Sequence, residues 1–367
     1  MVKYIIRRTL GLIPLLLGIV LISFALMKLA PGGPERQFNQ NPRVTEEQIN
    51  AWLTRWCLER EPTPIGIVRE FSGWMGFYNC DTESIFSASG GLNLLPEFLG
   101  GGDNGIIHGD LGISIVSARP VTDIIVERIP ATLILTSVAL FLWVTIAILL
   151  GVIAAVRRYS FFDQTVTFFS YVFYSLPTFW LGLMFIFFFA VTLHWLPAQG
   201  IVSPRDWPPF NTPQYWEAFG QDPWSAIYDI GRHLVLPVTV LVLVNIAGDS
   251  RFVRASMLEA LNQDYVRTAR AKGLPRRTVI MKHTFRNAML PVVTNVALEL
   301  PFLFSGAIVT ETIFSWAGMG LLFIEGVTAR DYFLLMGLIL ITSTLVIAFN
   351  LVADVVYAIV DPRIRYD

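Results

Sequence analysis

Six long apolar stretches alternate with polar segments along the 367 residues. They cover residues 9–30, 130–156, 165–196, 233–249, 291–312 and 332–358. A helix needs roughly 20 apolar residues to cross the hydrocarbon core of a bilayer. All six stretches approach that length, the fourth being short. Pro177 interrupts the third and Pro237 the fourth, so both are expected to kink. The pattern predicts an all-α polytopic membrane protein with six transmembrane helices. It divides into a tail and first span (1–30), an outside segment (31–129) and a core holding the other five spans (130–367).

The polar segments are unequal. Residues 31–129 are too many for a plain loop. Thr45-Glu46-Glu47 reads as a helix start, and Ile49, Trp52, Leu53 and Trp56 come next at i, i+3, i+4 and i+7. The segment reads as a small external subdomain or as a docking surface for an extracytoplasmic partner, and the two are compatible. Residues 88–105, with their paired and tripled glycines, read as a flexible connection. Val121, Ile124, Ile125 and Ile129 alternate with charges at helical spacing, which predicts a short interfacial helix ahead of Pro130.

Residues 251–290 form the other large polar segment. Leu261 to Lys272 is rich in helix formers, and Gly273-Leu274-Pro275 ends the helix. Met281, Phe285, Ala288 and Met289 then give an apolar stripe on a second helix. Within residues 264–291, Arg267, Arg270, Lys272, Arg276, Arg277, Lys282 and Arg286 stand against a single acid, Asp264. The small residues Ala269, Ala271 and Gly273 leave room for another backbone. Arginines around such a patch make a helix-in-groove anchor. The same charges would equally serve anionic lipid headgroups, and spacing alone does not decide.

Charge gives the direction of threading. Residues 1–8, 157–163, 251–290 and 359–367 hold 16 of the 27 Lys and Arg. The longer segments 31–129, 197–232 and 313–331 hold 10. Basic loops stay inside, so both termini and the 251–290 loop are expected on the cytoplasmic side. Lys3, Arg7 and Arg8 before the first stretch resemble a signal peptide. That stretch exceeds the roughly 7–15 residues of a signal core, so it is read as an uncleaved span.

Composition narrows the chemistry. The chain is 54% hydrophobic and 15% charged, against about 25% charge in soluble domains. A net charge of −1 gives no reason to expect nucleic acid. Cys57 and Cys80 form no CxxC pair and no cluster with His, so no metal site is expected. Both lie outside, where a disulfide is permitted. No Gly-Lys dipeptide occurs, so the chain carries no phosphate-cradling Walker A loop. No nucleophile–base arrangement points to an enzyme.

Several motifs resemble one family. They are IIRRTLGLIPLLLGIVLISF (5–24), APGGP (30–34), GDLGISIVSARPVTDIIVERIPATL (109–133), LPTFWLGL (176–183), RFVRASMLEALNQDYVRTARAKGL (251–274), KHTFRNAMLPVVT (282–294), ETIFSWAGMG (311–320) and NLVADVVYAIVDPRIRY (350–366). The chain resembles the B-type permease subunit of peptide-importing ABC transporters, in the dipeptide, oligopeptide and nickel group. The resemblance implies a type I importer permease fold in the cytoplasmic membrane. It implies a second homologous permease, two cytoplasmic ATPase subunits that bind ATP and Mg, an external substrate-binding protein and a peptide cargo. It places Tyr265, Arg267, Thr268, Ala269, Arg270, Ala271, Lys272 and Gly273 on a coupling helix docked in an ATPase groove. The general importer pattern there is Glu-Ala-Ala, three residues, then Gly. Here Arg267, Thr268 and Ala269 occupy the first three positions, so the Glu is absent.

Ionisable groups within spans are functional candidates by default. Glu299 is the candidate for the translocation path, where it would meet a peptide amine. Lys28 is expected to snorkel outward, and Glu311 and Asp354 to make contacts between helices. A secondary transporter or channel without ATPase partners is the rival. It would show paired charges or broken helices in matched halves, and no internal repeat is visible. A receptor or scaffold would leave the 251–290 loop without a role.

Overall fold

The computed structural model describes residues 2–29, 64–75, 109–302 and 307–360. The helix expected over 45–56, the flexible connection expected over 88–105 and the Cys57–Cys80 bridge lie outside them. Among the described residues the regular structure is helical, apart from one isolated bridge between Ile113 and Pro120, and turns and irregular segments such as 193–212 connect the helices. It forms two compact units. One comprises Met1–Ile5, Arg128–Leu322 and Leu345–Asp367, the other Ile6–Glu127 and Phe323–Thr344.

The helices are α1 (Val2–Leu29), α2 (Pro64–Met75), α3 (Val121–Val156) and α4 (Phe161–Ser175). Then come α5 (Thr178–Phe185), continued by a π-helix over Ile186–Thr192, α6 (Pro213–Gln221) and α7 (Pro223–Leu261). After these come α8 (Asp264–Ala271) and a helical lead-in from Arg276 that widens to a π-helix over Val279–Phe285. The chain continues with α9 (Arg286–Glu299), α10 (Ile308–Ile313), α11 (Met319–Ala329) and α12 (Tyr332–Val360).

Among the described residues, α3, α7 and most of α12 are long and apolar enough to cross a membrane. The α4–α5 pair makes a fourth span if its two arms count as one. The first apolar stretch supplies the shorter apolar helix Pro14–Leu29. The fifth is divided between α9 and α10.

The prolines act differently from one another. Val121–Val156 is one helix of 36 residues that runs through Pro130, so the separate interfacial helix expected before Pro130 is absent. Pro237 likewise sits inside the 39-residue α7. A membrane helix tolerates proline because neighbouring groups satisfy the freed carbonyl and packing holds both sides. Pro177 instead breaks its span. Leu176 is extended, with φ −82 and ψ 131, and α4 and the helical arm from Thr178 to Thr192 meet at 99°. At 1.5 Å per residue α7 is about 58 Å long, far beyond the short stretch 233–249.

The first unit is built on α3 and α7. Ala131, Leu135, Ala139, Trp143 and Ala147 form a buried stripe along α3 at a spacing of four. They belong to one core with Val238, Leu241, Val242 and Ile246 of α7. The two helices cross closely at Gly151, where a Cβ would stand 2.6 Å from the Ser250 carbonyl oxygen. Beyond the crossing, Val253, Met257 and Ala260 pack with Ala155 of α3 and with Ala288 and Val292 of α9.

In the second unit, Lys28 does not snorkel. Its Nζ lies 2.9 Å from Glu70 of α2, and both side chains are buried. Asp331 caps α12, its Oδ1 accepting from the Leu334 amide at 3.2 Å. Its Oδ2 accepts from Ser114 Oγ at 2.5 Å, which fixes the GDLGIS segment to that helix start.

Candidate functional site: a basic elbow and a carboxylate pair

The helix-turn-helix expected of the basic loop is present. Residues Asn262 and Gln263 separate α7 from α8, which starts three residues later than the sequence suggests. Gly273 has φ +74, a conformation glycine adopts without steric cost. It closes α8 with a paired set of bonds. Its amide donates to the Arg270 carbonyl at 2.9 Å, and the Leu274 amide reaches back to Ala269 at 3.4 Å.

One face of α8 is held inward. Val266 and Ala269 are buried against Val279. Tyr265, Arg267, Thr268, Arg270, Ala271, Lys272 and Gly273 are exposed. Ala269 is thus placed differently from Ala271 and Gly273. Its methyl packs under the helix and offers nothing to a partner. Asp264 forms an exposed pair with Arg267 at 3.4 Å, a contact worth little at a surface. Thr268 Oγ1 donates to the Asp264 carbonyl at 3.0 Å. The elbow presents a cationic, small-residue surface on a short helix anchored from below.

The stripe expected on the second helix holds at Phe285, Ala288 and Met289 and fails at Met281. Thr284 Oγ1 donates to the Val279 carbonyl, five residues back, at 3.1 Å within the π-helix. The extra residue per turn rotates Met281 outward, while Ala288 stays buried. Phe285 and Met289 pack on the core shared by α3, α7 and α9.

Glu299 closes α9 and has specific partners. Trp143 Nε1 donates to its Oε2 at 3.3 Å, and Asn295 Nδ2 donates to its Oε1 at 3.2 Å. Asn295 also donates to Asp249 Oδ1 at 3.3 Å. Two carboxyl groups therefore meet at one amide. Asn295 lines a cavity of about 690 Å³ that extends between α7 and α9 past Ser256 and Asn287 to Tyr265 of α8. Sequence alone does not single out Asp249, because it ends an apolar stretch and looks like a boundary residue. Its link to Asn295 spans 46 residues, which no local pattern reveals.

Glu311 is fully buried and belongs to a different arrangement. Its carboxylate accepts from Thr132 Oγ1 at 3.0 Å and from the amides of Gly320 and Leu321 at 2.7 and 3.1 Å. Those amides open α11, where a negative group is favoured. A Cβ on Gly318 would stand 2.4 Å from Thr132 Oγ1 and 2.6 Å from Glu311 Oε2. Trp316 Nε1 donates to the Ala131 carbonyl at 2.8 Å. The ETIFSWAGMG segment is thus a fastening between helices, as expected for Glu311.

Comparison with known proteins agrees with this architecture. Residues 147–366 match the family described as binding-protein-dependent transport system inner membrane component. The oligopeptide transport system permease protein AppB of Bacillus subtilis (strain 168) is 37% identical over 367 residues, covering 100% of both chains. The dipeptide transport system permease protein DppB of Escherichia coli (strain K12) is 36% identical over 374 residues, covering 100% of this chain and 99% of that one. The di/tripeptide transport system permease protein DppB of Pseudomonas aeruginosa (strain UCBPP-PA14) is 35% identical over 367 residues, with the same coverage. With more than half of its length matched by the family model and its whole length by these relatives, the chain belongs to the family of binding-protein-dependent transport system inner membrane components.

Proposed function

We propose that the chain is the membrane permease subunit of an ATP-driven peptide importer. The observation that carries this reading is the full-length similarity to three peptide-system permeases, joined to the exposed cationic elbow at α8. In this reading the chain has six spans, an external subdomain between the first two and both termini in the cytoplasm. It pairs with a second, homologous permease, and the two line one path. Two cytoplasmic ATPase subunits bind ATP and Mg and grip α8 through Tyr265, Arg267, Thr268, Arg270, Ala271, Lys272 and Gly273. Ala269 serves from beneath, by holding α8 on Val279. An external binding protein delivers the peptide.

The mechanism is alternating access. Closure of the ATPases on ATP pushes α8, and the helices rooted behind it switch between two packings. Val266 and Ala269 of α8 rest on Val279, and the next residue, Ile280, packs on the core of Val253, Met257, Ala288 and Val292, so a push on α8 has a path of contacts into the helices behind it. The carboxyls of Glu299 and Asp249 receive the peptide's amino group, beside the cavity that Asn295 lines. The rival reading, a transporter without ATPase partners, finds no support in the named relatives.

The test is reconstitution. The chain, co-expressed with its partner permease, ATPases and binding protein, should take up labelled peptide into vesicles only with ATP. Uptake that continues without any ATPase subunit would refute the proposal.

A further inference from the structure

The α4 helix packs along α7 and is fastened to the same end of α7 that carries α8 and the basic turn. Arg254 Nε lies 2.6 Å from Asp163 Oδ1, and its second guanidinium nitrogen donates to Oδ2 at 2.8 Å. This is a two-pronged pair, the most directional form of the contact. The Asp163 side chain is only 4% exposed. The Tyr159 amide donates to Oδ2 at 2.9 Å, so each carboxylate oxygen has a donor. Further along the two helices, Ser170 Oγ and Ser250 Oγ lie 3.5 Å apart, both buried. The Arg251 guanidinium stands over the rings of Tyr171 and Tyr174 at 4.8 and 5.2 Å. Sliding α4 along α7 would strand a buried carboxylate and break all three contacts, so the pair resists relative movement.

The chain offers another place to yield. Pro177 has no amide hydrogen, and Leu176 is extended. The helical hydrogen-bond ladder is interrupted there, at the 99° bend.

We propose that Asp163 and Arg254 are positioning residues for transport: they make α4 and α7 travel as one body when α8 is pushed, so that the chain flexes at Leu176-Pro177. This rests on the functional reading above, and it adds which helix moves with the elbow and which residues bind it.

Two experiments test it in the assembled complex. In the first, Asp163→Asn and Arg254→Gln should leave ATP hydrolysis in place while peptide taken up per ATP falls by roughly five-fold, the size of a perturbed coupling network. The charge-exchanged double variant Asp163→Arg/Arg254→Asp should recover most of it. Unchanged uptake per ATP in Asp163→Asn would overturn the proposal. The second does not depend on those variants folding. A disulfide between Ser170→Cys and Ser250→Cys, mapped by mass spectrometry, should leave uptake close to that of the reduced protein, because the two helices need not separate. Loss of uptake on forming that bond, with ATP hydrolysis continuing, would overturn it. Both readouts are taken only in complexes that hydrolyse ATP. Uptake without ATPase subunits would sink the functional reading instead, leaving the tether to report on α4 and α7 alone.

Discussion

Thr132 and Glu311 are 179 residues apart in sequence, and their side chains meet in a buried hydrogen bond of 3.0 Å. The same carboxylate closes on the first amides of α11, so one acid ties α3, α10 and α11 together. Glu311→Ala would leave those amides and the Thr132 hydroxyl without their acceptor, at about 1–3 kcal/mol for each stranded group. The variant should lose several degrees of thermal stability in detergent. Glu311→Gln keeps an acceptor oxygen and should lose less. A melting curve for each, monitored by tryptophan fluorescence, decides between this fastening role and a role in binding cargo.

Gly273 gives a sharper contrast. Nothing lies within 4 Å of a Cβ placed there, so space is no obstacle, but φ is +74. A left-handed backbone costs most side chains about 1–2 kcal/mol, and Asn less. Gly273→Val should therefore insert normally yet reduce uptake per ATP, because the turn that sets the angle of α8 is strained. Gly273→Asn should remain near wild type. Equal behaviour of the two variants would mean that this turn does not set the coupling geometry.

Arg267 and Arg270 are both exposed on the elbow. Arg267→Glu/Arg270→Glu should leave the fold intact, since neither guanidinium is buried. ATPase subunits should then co-purify poorly, and the residual association should weaken further with dilution. Normal uptake in this variant would remove α8 from the docking surface.

The hydrophobic pattern made the helical class and the sites of the long helices legible, and the Gly273-Leu274-Pro275 turn was readable residue by residue. Four things were not. Pro130 and Pro237 sit within continuous helices while Pro177 breaks one, because the packing around a proline, and not the residue itself, decides whether the helix continues past it. Ala269 and Ala271 look alike in sequence, yet only Ala269 packs on Val279. Which alanine turns inward is fixed by a side chain ten residues further on. Asp249 was hidden because its partner Asn295 lies on another helix. Glu299 stood out as an acid within an apolar stretch, but its bond to Trp143 was equally hidden.

Glu299→Gln keeps the size of the side chain and removes its charge. If Glu299 and Asp249 receive the peptide amine, uptake of peptides with a free amine should fall by about ten-fold, the scale of a lost charge-assisted hydrogen bond. Uptake of amino-acetylated peptides should change little. Parallel losses for both peptide classes would assign Glu299 to helix packing through Trp143 and Asn295.

The central claim is that ATPase subunits cover the outer face of α8, and Thr268 lies on that face. The most direct measurement is the labelling rate of Thr268→Cys by a membrane-impermeant maleimide. In the chain alone the thiol should label rapidly, and in the assembled, actively hydrolysing complex it should be protected. Equal, rapid labelling in both states throughout the ATP cycle would contradict the account.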